Sequence, residues 1–192
     1  MEVFKGVPVL LFESQQPWHD WLDARCTEAQ GVWLKFAKKS SHRLSITYDQ
    51  ALEEALCYGW IDSQKRTYDE DYWLQKFTPR SPRSVWSKVN VVKVEALIEA
   101  KRVQPMGLAA MEIAKQSGAW QAAYDSSSMN TIPDDFQAAL NKNPEAKQFF
   151  EALDKANVYA FCWRIQTAKK PETRQARIEK FIAMLNRGEK LH

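Results

Sequence analysis

Glycine is scarce in this chain of 192 residues: there are six, no two of them adjacent. A phosphate loop needs several backbone amides brought close to an anion, and clustered glycines are what permit that approach. Nucleotide binding of the Rossmann or P-loop kind is therefore excluded. Histidine is nearly as rare. His19, His42 and His192 are far apart, and neither a His-Glu-x-x-His nor a Cys-x-x-Cys spacing occurs, so no metal site and no cofactor is expected. Cys26, Cys57 and Cys162 are odd in number and widely separated, which fits no disulfide framework. They read as reduced, buried thiols of a cytoplasmic protein. A cysteine nucleophile would need a base, and only His19, brought to Cys57 by folding, could serve. Long apolar runs are missing too: residues 7–12 are stopped by Glu13, too early for a signal peptide or a spanning helix. Membrane insertion is not expected.

What is present is a folding composition, 45% hydrophobic and 27% charged, enough to bury a core and too apolar for disorder. The net charge of +3 is too small to make the whole chain a polyanion binder, so its distribution decides. Residues 1–70 carry 8 basic and 11 acidic side chains, residues 71–120 carry 8 and 4, and residues 121–192 carry 11 and 9. The excess of cations sits in the middle.

Residues 7–12 and 32–37 read as strands, and 60–67 with 72–77 as a hairpin across the acidic turn Asp69-Glu70-Asp71. Between the first two, Trp18, Trp21 and Leu22 give a helix one apolar stripe after Ser14. Thr47-Tyr48-Asp49-Gln50 has the spacing of a capping box, Ala51, Leu52, Ala55 and Leu56 then face inward, and Gly59 closes that helix. After Ser87 the pattern is helical throughout. One helix runs to about Arg102; the next, from Pro105 to Gly118, carries Met106, Ala109, Ala110, Ile113 and Ala114 as its stripe. Residues 124–131 form the linker candidate, followed by helices over 134–140, 144–153 and 158–168 and a last one from Pro171, with a second basic cluster at Lys169, Lys170, Arg174 and Arg177. The fold class is α+β: a small antiparallel or mixed sheet of about four strands in the N-terminal half with packed helices, then an all-helical C-terminal part. The parts divide as 1–124 and 125–192, expected to behave as one unit.

On the first hairpin arm, strict alternation puts Trp60, Asp62, Gln64 and Arg66 on one side, and neither side is an apolar row. Such an arm is an exposed edge or lines a wet cavity. From Tyr72 to Val94 there is no acid, while Lys76, Arg80, Arg83, Lys88 and Lys93 lie among Tyr72, Trp73, Phe77 and Trp86. Pro79 and Pro82 fix the chain around Arg80 and Arg83, which lowers the entropy lost in gripping an anion. Ser84 and Ser87 are placed to cap the next helix, whose amide-rich start adds to the attraction. Trp86 and Asn90 would share a face. The bland alternative is a proline corner whose arginines pair with the acidic hairpin turn, with Trp86 in the core.

Leu56-Cys57-Tyr58-Gly59-Trp60-Ile61-Asp62, Phe77-Thr78-Pro79-Arg80, Ser84-Val85-Trp86-Ser87-Lys88-Val89-Asn90 and Arg177-Ile178-Glu179-Lys180 together resemble the YdeI/OmpD-associated, or bacteriocin-protection, family. The resemblance implies an α+β fold and a part in tolerance of bacteriocins or cationic antimicrobial peptides, with no catalytic residues to carry over. Three functions follow as expectations. The first is binding of an anionic small molecule or peptide at Trp60, Asp62, Lys65, Arg80, Arg83, Ser84, Trp86, Ser87 and Asn90. The second is nucleic-acid binding, with bases stacked on Trp73, Phe77 or Trp86. The third is an enzyme using Asp62 and Lys65 for proton transfer, the least supported because no nucleophile accompanies the pair.

Overall fold

Lys5 and Gly6, with φ of 51° and 77°, turn the chain tightly between β1 (Val3–Phe4) and β2 (Val7–Leu10). Two successive positive φ values are the geometry of a two-residue hairpin turn, and glycine takes one of them without strain. This short extra strand is the one that the sequence pattern did not reveal. The structure, a computed structural model, describes residues 2–28, 30–125 and 131–192. Of the linker expected at 124–131, residues 126–130 lie outside the described residues. The chain divides into a first unit of residues 1–84 and 90–120 and a second of residues 85–89 and 121–192.

The first unit is α+β. Beyond the β1–β2 hairpin it contains α1 (Gln15–Arg25), β3 (Val32–Ala37), α2 (Tyr48–Cys57), β4 (Trp60–Thr67), β5 (Tyr72–Pro79), α3 (Lys88–Glu99, whose first two residues belong to the second unit) and α4 (Pro105–Gln116). Its five strands run in the order β1-β2-β3-β5-β4. β2 and β3 are parallel, joined through α1, and the other neighbours are antiparallel. The sheet is therefore mixed.

One sheet face carries Leu34, Phe36, Gln75 and Phe77 against α1 and α2. Trp18, Trp60 and Phe77 are wholly buried there, with Trp18 5.8 Å from Phe77 and 6.5 Å, edge-on, from Trp60 between ring centroids. Each indole N–H has a carbonyl: Trp18 donates to Ala51 at 3.1 Å, and Trp60 to Cys26 at 2.8 Å. A smaller cluster of Val7, Val9, Trp33 and Leu74, flanked by Phe4 and Tyr68, covers part of the other face.

The capping box at Thr47 and Gln50 forms as the spacing predicts, with each residue serving the other's backbone N–H, and Gly59 has a φ of 73°. The stripe read for α4 is corrected. Met106 and Ile113 are 45% and 43% exposed, and Gly107 and Ala114 are the buried pair. α4 is drawn onto the end of α2 by its backbone: Gln104 N–H donates to the Cys57 carbonyl at 2.9 Å, and a Cβ added at Gly107 would collide with that same oxygen. In α3, likewise, Val94 and Leu97 are buried while Val92 is exposed.

The second unit is helical among its described residues: α5 (Asp134–Asn141), α6 (Pro144–Glu151), α7 (Lys155–Gln166) and α8 (Pro171–Asn186). Phe136, Phe150, Phe161 and Phe181 meet edge to face in a chain, with centroid distances of 5.4, 6.2 and 5.0 Å. Around them pack Leu140, Ala146, Cys162, Ile165, Ile178 and Leu185. The second basic cluster is partly spent on this fold, since Arg174 forks onto Asp135 at 2.6 and 2.9 Å and Arg177 donates to the Arg164 carbonyl. No helix among the described residues is long and apolar enough to cross a membrane.

Replacing Gly107 by alanine should destabilise the first unit by about 1–3 kcal/mol through overpacking, although alanine is the better helix former by about 1 kcal/mol. Thermal denaturation followed by circular dichroism checks this; an unchanged or higher midpoint refutes the close contact with Cys57.

Candidate functional site

Tyr48 is the first residue of α2, and the capping box fixes where its ring emerges beside the end of β3. Its ring meets Phe36 edge-on at 6.2 Å, and Trp73, opposite Phe36 on β5, stacks on Phe36 at 4.7 Å. The loop from Lys38 to Thr47 and these rings together line an open cleft of about 560 Å³. Its floor is Phe36, Tyr48 and Trp73; its rim includes Lys38, Lys39 and Arg43. Lys38 Nζ donates to the Asp69 carbonyl at 2.6 Å, and Arg43 Nε to the Asp71 carboxylate at 3.0 Å, leaving Lys39 as an exposed cation at the mouth. The hydroxyls are largely structural: Ser45 accepts from Ala37 N–H at 2.9 Å, and Thr47 caps α2.

Behind this wall stands Asp62. Its Oδ2 accepts from the Tyr48 phenol at 2.9 Å and from the Gln75 amide at 3.3 Å. A β-bulge between Asp62 and Lys65 inserts one extra residue into β4, so that Asp62 faces Phe77 and Lys65 faces Gln75 on the same side of the sheet. The alternation expected for this arm is thereby corrected. Lys65 lies over the Trp73 ring, 4.3 Å from its centroid, a cation–π contact. Asp62 thus fixes Tyr48, and Lys65 covers Trp73. Nothing in this arrangement pairs the two for proton transfer.

The other expected site residues fall elsewhere. Trp60 is wholly buried with its N–H spent on Cys26, so it has no surface to offer a ligand, contrary to the expected pocket lining. Arg80 continues from β5, its N–H donating to the Gly59 carbonyl at 2.9 Å, and is partly exposed; Arg83 is exposed. Ser84 does not cap α3. It closes a turn on Ser81, with Ser84 N–H donating to the Ser81 carbonyl at 2.9 Å and Ser81 N–H to Ser84 Oγ at 3.0 Å. Trp86 and Ser87 belong to the second unit, where Ser87 bridges Tyr124 and both Tyr124 backbone groups are taken by Trp86 and Lys88. Trp86 precedes α3, so it does not share a helical face with Asn90, which belongs to the first unit. Lys88 Nζ sits 2.6 Å from Asp125 and holds that carboxyl below the usual range, against the opposing effect of burial.

One cluster was not anticipated. Glu54, 5% exposed, accepts from Gln15 at 2.5 Å, from His19 Nδ1 at 3.0 Å and from Arg102, which also reaches Glu53 at 3.2 Å. Burial alone would raise this carboxyl's pKa, but the hydrogen bonds from His19, Gln15 and Arg102 outweigh it and the net shift is downward. The Tyr58 hydroxyl lies 3.3 Å from His19 Nε2 and donates to Asp23 at 3.3 Å. The signal was legible: Glu54 shares a helical stripe with Ala51 and Ala55. His19 is therefore committed to Glu54 and Tyr58. The Cys57 thiol is pushed up to about 12, by burial first and the Glu54 carboxylate second, which removes it as a nucleophile. Among the described residues no three His, Cys, Asp or Glu side chains converge to hold a metal ion.

Residues 10–110, more than half of the chain, match the model of a domain of unknown function, DUF8412, and the chain belongs to that family. Residues 130–188 match the family described as bacteriocin-protection, YdeI or OmpD-associated, supporting the likeness drawn from the motifs. Of those motifs, residues 177–180 lie in this second match, whereas 56–62, 77–80 and 84–90 lie in the first. No curated protein and no solved structure matches.

Glu54→Gln should cost about 1–2 kcal/mol at neutral pH, because the buried carboxylate's charge-assisted hydrogen bonds are weakened while Arg102, partly exposed, keeps Glu53. The folded carboxyl titrates below its ordinary value of about 4.3, so its contribution is full above that pH and is lost as the pH falls through the lower, folded value. Urea unfolding from pH 7 down to pH 3 should show the decline in the natural chain and a flatter curve in the variant; equal slopes would sink the assignment.

Proposed function

We propose that this protein is a binding protein of the bacteriocin-tolerance type, and that its first unit holds an anionic small molecule carrying a flat ring. The observation that carries this reading is the cleft of about 560 Å³ with an aromatic floor of Phe36, Tyr48 and Trp73 beneath Lys38, Lys39 and Arg43. A volume in this range suits a small ligand. A flat ring gains apolar contact with the exposed edges of Tyr48 and Trp73, and the rim attracts negative charge, strengthened at Lys39, which has no carboxylate partner among the described residues. Asp62 serves by hydrogen-bonding Tyr48, and Lys65 by covering Trp73. Neither acts on a reacting atom.

A second reading keeps the anion at Arg80 and Arg83. Two hydrogen bonds between Ser81 and Ser84 hold the chain between these arginines in one turn, which supports the idea of a stiffened corner.

One titration separates the two. Nucleoside monophosphates and aromatic carboxylates serve as probes, followed by tryptophan fluorescence and by the rise in melting temperature that native-state binding brings. On the cleft reading, Trp73 emission is quenched, Lys39→Ala weakens binding about fivefold, or roughly 1 kcal/mol, and Arg83→Ala changes nothing. Weakening by Arg83→Ala alone moves the site to the corner. Absence of any shift with all probes at millimolar concentration would overturn both.

A further inference from the structure

β4 lies at the end of the sheet with β5 as its single neighbour. Residues 63–67 are all exposed, so both faces and the outer edge of this arm stand in solvent together. Beyond the pairing to β5, residues 61–67 make no backbone–backbone hydrogen bond among the described residues, and the Lys65 carbonyl accepts from Arg66 Nη1 at 2.9 Å. An edge of this kind is a template for one more strand, and natural proteins guard it with cations and bulges. Both guards are present: the bulge at 62–65, and Lys65 and Arg66 side by side.

The guards act selectively. Lys65 is opposite Gln75 and Arg66 opposite Leu74 on consecutive register positions, so the two cations project from opposite faces of the arm. Lys76, next on β5, adds a third positive charge on the Arg66 side. A second copy of this chain, pairing antiparallel about the Lys65–Arg66 step, would set these cations against their own like charges. The acids near in sequence are engaged inside the fold: Asp62, on the Lys65 side, accepts from Tyr48 and Gln75, Asp69 Oδ1 accepts from the N–H groups of Asp71 and Tyr72 at 2.9 and 2.7 Å, and Asp71 takes Arg43. What fits the edge is a strand of opposite sign.

We propose that β4 is a docking edge for an extended acidic peptide, one with two consecutive Asp or Glu residues whose side chains alternate to meet Lys65 on one face and Arg66 on the other. Main-chain hydrogen bonds to the open edge supply affinity, and the two cations supply sign and register. The proposal does not depend on the small-anion reading, although Lys65 also lies over Trp73 of the cleft.

The test uses the full chain and a dye-labelled octapeptide with two central glutamates flanked by alternating threonine and valine. Fluorescence anisotropy should show saturable binding, weakened about tenfold when both glutamates become lysine. The variant Lys65→Glu with Arg66→Glu should invert that preference, its fold checked by circular dichroism. N-methylation of alternate backbone nitrogens on one edge of the peptide keeps every side chain but removes the donors, and should abolish binding. No binding of the unmodified peptide at millimolar concentration overturns the proposal. Equal binding of the methylated peptide also overturns it, since attraction would then be charge alone.

Discussion

Burying an indole gains a large apolar area only if its one N–H donor finds an acceptor, since an unpaired buried donor costs about 1–3 kcal/mol. The first unit meets that condition at Trp18 and Trp60, whereas the buried Trp33 of β3 keeps its indole N–H without a partner among the described residues. Trp18 of α1 donates to Ala51 of α2, and Trp60 at the start of β4 donates to Cys26 just past the end of α1. These two bonds tie both helices and the hairpin to one point beneath the sheet. α2 is thereby fixed at its second turn and capped at its first, and Tyr48 has little freedom over Phe36 and Trp73. The cleft is a consequence of how Trp18 and Trp60 are satisfied.

Much of this architecture was legible in the residues. The capping box at Thr47 and Gln50, the left-handed Gly59, the helix starts at Pro105, Pro144 and Pro171 and the four longer strands all follow from local rules. Local rules failed where a distant atom decided the outcome. Met106 and Ile113 look like a core stripe, yet α4 turns Gly107 inward because the Cys57 carbonyl lies too close for any side chain. The face of Lys65 could not be read, because period-two counting has no way to register a bulge. Trp60, read as a pocket wall, is a core residue, since aromatic residues next to charges look the same in either role.

The candidate site was half visible. Asp62 and Lys65 were picked out for their neighbours; neither lines the cleft, and each only touches a residue that does, Asp62 bonding Tyr48 and Lys65 lying over Trp73. The rim was overlooked. Lys38, Lys39 and Arg43 carry no motif, and only the fold brings their loop beside Tyr48 and Trp73. Charge clusters in sequence are poor guides by themselves: Arg174 and Arg177 looked available and are engaged by Asp135 and a backbone carbonyl. The two family matches fall on different parts of the chain, with β3 to β5 and the cleft inside residues 10–110 and the phenylalanine-centred helices inside 130–188.

β3 is the middle strand, yet neither of its neighbours is a hairpin partner: β2 reaches it through α1, and β5 lies past α2 and β4 in sequence. The chain must close two sizeable loops before its centre is paired, whereas the β4–β5 and β1–β2 hairpins can zip locally. Assembly speed is therefore governed by when residues 32–37 dock, and until then the inner edges of two preformed hairpins stay open to the solvent.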